Sequence, residues 1–179
     1  MKYLKYLLIA FAIFLSLPFI IGLFVDKKIN VEREIVINQP KEVVFDFVSN
    51  LRNQPKYSKW AKMDPNAKLT FTGNDGEVGS VYTWESTNKN VGKGAQEITA
   101  IKQGERIDFE LRFIEPFETT DKAYMITEAV SDNQTKVKWG FSSEMKYPMN
   151  FMLLFWNMDK MVGADFQEGL DNLKVLMEE

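Results

Sequence analysis

Apolar and polar positions divide the chain into three differently patterned stretches. The first runs from Tyr6 to Val25, YLLIAFAIFLSLPFIIGLFV, and carries no charge between Lys5 and Asp26. About 20 helical residues rise roughly 30 Å, the hydrocarbon thickness of a bilayer. The run therefore predicts one transmembrane helix, and Pro18 is tolerable inside it. A removed signal peptide is the alternative. Such signals end in small residues at the cleavage site, whereas bulky Leu23, Phe24 and Val25 precede the DKK here. Residues 1–28 are accordingly read as an N-terminal anchor and 29–179 as one domain.

The second stretch begins with VEREIVI (31–37), which alternates as a strand does. In NQPKEVVFDFVSNL, Asn38 and Pro40 suit a helix start, and Val44, Phe47, Val48 and Leu51 recur at i, i+3, i+4, i+7. RNQPKYSKW predicts a break and a second short helix. From Lys68 the period changes to two. KLTFTG, GSVYTWEST, GAQEITAIKQ, RIDFELRFIE, ETTDKAYMITEAV and TKVKWGFSSEM are parted by turn chemistry such as GNDGEVG, NKNVGKG and SDNQ. Short connections between strands imply an antiparallel meander. The third stretch, from about Pro148 to Glu178, returns to a 3.6-residue period through Phe151, Phe155, Met158, Val162, Phe166, Leu173 and Leu176. The whole predicts an α+β chain: a seven-stranded curved antiparallel sheet around a long C-terminal helix, preceded by one transmembrane helix.

Charge and composition then narrow the chemistry. Removing Lys2 and Lys5 from the 22 basic residues leaves 20 against 25 acidic ones from Asp26 onward. No basic stripe stands out, which argues against a nucleic-acid partner. Lys2, Lys5 and the amino terminus precede the apolar run, and Lys27 and Lys28 follow it. That balance favours the N-terminus inside, with the domain on the extracytoplasmic side of a single-pass membrane protein. Cysteine and histidine are both absent. The chain thus lacks thiolate chemistry, the commonest general base and the commonest metal ligand. No carboxylate cluster suggests a metal, no nucleophile or phosphate-binding motif occurs, and no cofactor is expected.

The candidate site residues come from the inward faces. Ile107, Phe109, Leu111 and Phe113 share one face of their strand, and Val137, Trp139 and Phe141 share one face of theirs. Tyr82 and Trp84 share another. Such aromatic faces are ordinarily core; in a fold with a cavity some become its wall. Trp84, Phe109, Phe113 and Trp139, with Met158 and Val162 from the closing helix, are the expected ligand-cavity residues. Asp165 falls about 60° from the centre of the helix's apolar stripe, at 100° per residue. It is the candidate acid; pairing with Lys or Arg at the helix margin is the plainer reading. Asp159 lies at the opposite margin. Gly169, near the stripe centre, implies close approach of helix to sheet. Glu85 and Glu97 are expected on the solvated face.

The order of elements resembles the helix-grip fold of the SRPBCC (START-like, birch-pollen-allergen-like) superfamily. The local text resembles its polyketide cyclase/dehydrase-like branch. The matching pieces are INQPKEVVFDFVSNL, Trp60, GSVYTWES, TKVKWGF and DKMVGADFQEGLDNLKVLMEE, within Val31 to Glu179. The resemblance implies a hydrophobic ligand cavity and, in many members, no demonstrated reaction. The expected function is membrane-tethered binding of a hydrophobic or amphipathic small molecule of lipid, quinone or isoprenoid type. The alternatives are a cyclase, dehydratase or hydrolase using cavity carboxylates, and an interaction module whose cavity is filled by its own side chains.

Overall fold

The computed structural model describes residues 2–179. Helix α1 (Lys2–Gly22) has no acidic or basic residue in its first or last turn, respectively, and contains Pro18. Its stretch Tyr3–Gly22 has a mean hydropathy of 2.3, and its most apolar window is unburied, so it is long and apolar enough to cross a membrane.

Strand β1 (Lys28–Ile37) follows, then α2 (Lys41–Ser49), a 3₁₀ turn (Leu51–Asn53), and the short helices α3 (Gln54–Tyr57) and α4 (Lys59–Met63). Six strands come next: β2 (Lys68–Thr72), β3 (Val81–Glu85), β4 (Lys93–Lys102), β5 (Arg106–Glu115), β6 (Thr119–Ser131) and β7 (Gln134–Glu144). All pairings are antiparallel in the order β1-β7-β6-β5-β4-β3-β2. The six later strands are thus a meander, and β1 adds to its last strand. Register shifts at Lys93/Gly94 and Ile98/Ala100 in β4, and at Ala129/Ser131 in β6, interrupt the ladders locally.

The closing element is divided. The sequence period predicts one helix from Pro148, but a 3₁₀ segment (Met149–Leu154) precedes α5 (Met158–Glu178). The α-helix restarts where the Asn157 side chain accepts the Lys160 backbone N–H at 2.8 Å. The 3₁₀ segment is held elsewhere, by the end of α1. Fully buried Asn150 donates from Nδ2 to the carbonyls of Gly22 (2.7 Å) and Val25 (2.8 Å). Two carbonyls at and beyond the C-terminus of α1 therefore find their partner in the domain.

The register gives the sheet two distinct ends. The first residue of β1 pairs with the last of β7, Lys28 with Glu144. Beside them lie the β5–β6 turn and the β3–β4 loop; this is the anchor end. At the other end α2 lies across the sheet. Val44, Phe45 and Val48 pack there with Ile37, Ile107, Val137, Leu170 and Leu173, all nearly or fully removed from solvent. That half is solid core.

α5 lies along β1 and is clasped to it. Arg33 donates to both carboxylate oxygens of Asp159 at 2.9 Å and to the Asp159 carbonyl at 2.8 Å. Its guanidinium occupies the place of a side chain at Gly163, where a Cβ would stand 2.0 Å from Nη2.

Candidate functional site

The inward faces of the strands converge under α5, but only the half beneath α2 is filled. Towards the anchor end they enclose a cavity of about 310 Å³. Tyr82 and Trp84 from β3, Leu111 and Phe113 from β5, and Trp139 and Phe141 from β7 form its sheet wall. Val162 and Phe166 from α5 and Trp60 from α4 form the opposite wall. Asn90 and Val91 of the β3–β4 loop and Glu115 and Pro116 at the end of β5 stand at the anchor end. The size and apolar lining are those of a small-molecule site.

The walls are stiffened by ring packing. Trp139 stacks on Phe166 with centroids 4.7 Å apart and planes 7° from parallel. Trp60 meets Phe166 edge-on at 5.6 Å, and Tyr57 meets Trp139 edge-on at 5.7 Å. Across the cavity, Phe71 stacks on Tyr82 at 5.1 Å and Trp84 meets Phe113 edge-on at 6.0 Å. Trp84 also donates from its indole N–H to the Val91 carbonyl at 3.3 Å, tying the loop to the wall. Edge-to-face and offset contacts of this kind fix ring planes.

Polar groups are few. Gln54 and Gln96 face each other as a reciprocal amide pair, with N–H···O distances of 2.8 and 2.7 Å. Burial pushes the Tyr82 phenol up to about 12, so it stays a neutral hydrogen-bonding group. Among the described lining residues Glu115 alone is acidic, and its carboxylate pairs with Lys93 at 3.0 Å.

Trp84, Phe113, Trp139 and Val162 line the cavity, whereas Phe109 and Met158 do not. Phe109 is two residues further from the anchor end than Leu111 and lies buried in the packed half. Met158 begins α5 and packs, half-buried, on the core margin. Asp165 is outside the lining: its carboxylate accepts from Lys59 Nζ at 2.9 Å, and Lys59 reaches Glu168 at 2.8 Å. The Lys59 ammonium is raised by Glu168 first and Asp165 second. Glu85 pairs with exposed Lys68 at 3.6 Å, and Glu97 with Arg112 at 2.8 Å, away from the cavity. Among the described residues no group of three or more Asp or Glu could hold a metal ion.

The Gln54–Gln96 pair was not anticipated. Gln96 lies between inward-facing Gly94 and Ile98, so strand alternation marks it as a polar residue on an apolar face. Its partner across the fold has no comparable signal.

A curved antiparallel sheet gripping one long helix over an apolar cavity defines the helix-grip fold. Residues 28–178 match the family described as "Polyketide cyclase / dehydrase and lipid transport", and the chain belongs to that family. No curated protein matches it in sequence. Solved structures share the fold at low identity. A protein from Nitrosospira multiformis has a TM-score of 0.59 at 16% identity, over 83% of this chain and 96% of that one. A protein from Chromobacterium violaceum gives 0.58 at 14%, over 84% and 97%. The Aha1 dimer from Colwellia psychrerythraea gives 0.55 at 16%, over 84% and 96%.

Proposed function

We propose that this protein is a membrane-tethered binding protein that holds an apolar or amphipathic small molecule, of lipid, quinone or isoprenoid type, without transforming it. The observation that carries this reading is the aromatic-walled cavity of about 310 Å³ with only a few polar groups. An apolar ligand meets matching walls there, and the Gln54–Gln96 amides and the Tyr82 phenol offer hydrogen bonds to a single polar group. The lipid-transport part of the family description agrees with it. Helix α1 supplies the tether, and its junction with β1 lies at the same end of the sheet as the cavity. A catalytic reading lacks its acid: Asp165 is bound to Lys59 and Glu115 to Lys93.

The test pairs two measurements on the full chain in detergent. Mass spectrometry of co-purifying small molecules is expected to find an apolar compound in stoichiometric amount. Val162→Trp fills existing space in the wall, so it is expected to abolish binding of a fluorescent fatty-acid analogue with little change in melting temperature. In a fully packed site the same change would cost about 1–3 kcal/mol. Loss of stability, with no analogue bound by the parent protein, defeats the reading.

A further inference from the structure

The turn between β7 and α5 is unusually apolar for a surface segment. Leu154 is 60% exposed, Phe155 76% and Trp156 46%, and Met161 in the first turn of α5 is 59% exposed. Across the anchor end, at the tip of the β5–β6 turn, Phe117 is 80% exposed. An apolar patch of this kind on a folded surface marks a contact site.

The end of α1 indicates what covers it. The Tyr147 hydroxyl donates to the carbonyl of Phe19 at 3.2 Å, and the two rings meet edge-on at 6.4 Å. Asn150 holds Gly22 and Val25. A Cβ at Gly22 would stand 3.1 Å from the Pro148 carbonyl oxygen. The segment Tyr147–Asn150 therefore lies level with the last turns of α1, inside the apolar run that ends at Val25. From Phe19 to Gly22 is a helical rise of about 4–5 Å. If α1 crosses a bilayer, this segment sits at the membrane boundary. Lys146 and Lys160, both exposed, flank the apolar turn in sequence, and basic side chains so placed can extend their charges to the headgroup level. Tyr and Trp are the residues that partition to that level.

We infer that the turn from Tyr147 to Trp156, with Met161 and Phe117, is an interfacial docking surface for the lipid bilayer. This rests on the reading of α1 as a membrane anchor. The domain is then not a module swinging on a linker. It is seated on the membrane with the loop-lined end of its cavity facing the headgroup layer.

The chain has no cysteine, so single labelling sites are clean. The full chain is reconstituted in phosphatidylcholine–phosphatidylglycerol nanodiscs, with an environment-sensitive fluorophore on L154C, F155C, F14C or K102C. Interfacial groups sit roughly 5–10 Å into the headgroup–acyl boundary, so about twofold or greater quenching by a nitroxide high on the acyl chain is expected at 154 and 155. K102C, at the opposite end of the sheet, is expected to be unquenched, and F14C to be quenched by a nitroxide deep in the bilayer. Quenching of F14C without quenching at 154 or 155 overturns the docking surface and leaves the tether standing. No quenching at any of the three sites overturns both. Protection of 154 and 155 from lipid, with self-quenching that grows with chains per disc, assigns the face to a second copy and also overturns it.

Discussion

Gly169 faces the ring of Trp139 with no room for a methyl group: a Cβ there would stand 2.8 Å from Cζ3. Trp139 has little freedom to yield, being stacked on Phe166 and met edge-on by Tyr57 and Trp60. Gly169→Ala gains about 1 kcal/mol of helix propensity and costs about 1–3 kcal/mol in overpacking. A net loss is expected, read as a lower urea midpoint. Since Trp139 is also cavity wall, analogue binding is expected to weaken with it. The close approach was legible in the sequence because a glycine on the stripe of an amphipathic helix has few other uses. Strand alternation likewise put Trp84, Phe109, Phe113 and Trp139 on inward faces. It does not separate an inward residue that meets space from one that meets packing. That depends on where α2 lies, which is why Phe109 belongs to the core and Trp84 to the cavity.

Among the elements, the strands were readable because most show one buried face to the core, so the period of two survives in the text; the edge strand β2 has no buried residue. The break in the closing helix was not. Apolar residues keep their helical spacing through Phe151 and Phe155, and the break at the 3₁₀ segment goes with a long-range bond from Asn150 to the end of α1. The clasp between α5 and β1 was invisible for the same reason: Arg33 and Asp159 are far apart in sequence. The Arg33 hydrogen bonds hold the Asp159 carboxyl below its ordinary range. A lowered folded-state value means the clasp stabilises above the ordinary carboxylate pKa of about 4. That contribution is lost as pH falls through the folded value. Asp159→Asn is therefore expected to lower the urea midpoint at neutral pH. The two proteins are expected to converge as the carboxylate protonates. A difference that persists unchanged at acid pH would show that the clasp contributes no ionic stabilisation.

At the scale of the whole molecule, α1 is long and apolar enough to cross a membrane. The basic residues around α1 predict the domain outside the cytoplasmic membrane. Protease added to intact cells is expected to degrade the domain, while the same protease on inverted vesicles leaves it whole. The membrane-bound fraction is expected to resist carbonate and to retain its first residues; a soluble form beginning near Asp26 would establish cleavage instead. The solid half under α2 has a further consequence for exchange kinetics. Val44, Phe45 and Leu170 close the end beneath α2, so a molecule held in the cavity as proposed could not leave that way. On the proposed function, the occupant blocks entry through the anchor end, and exchange is expected to follow its departure rate and to be indifferent to how much competitor is supplied.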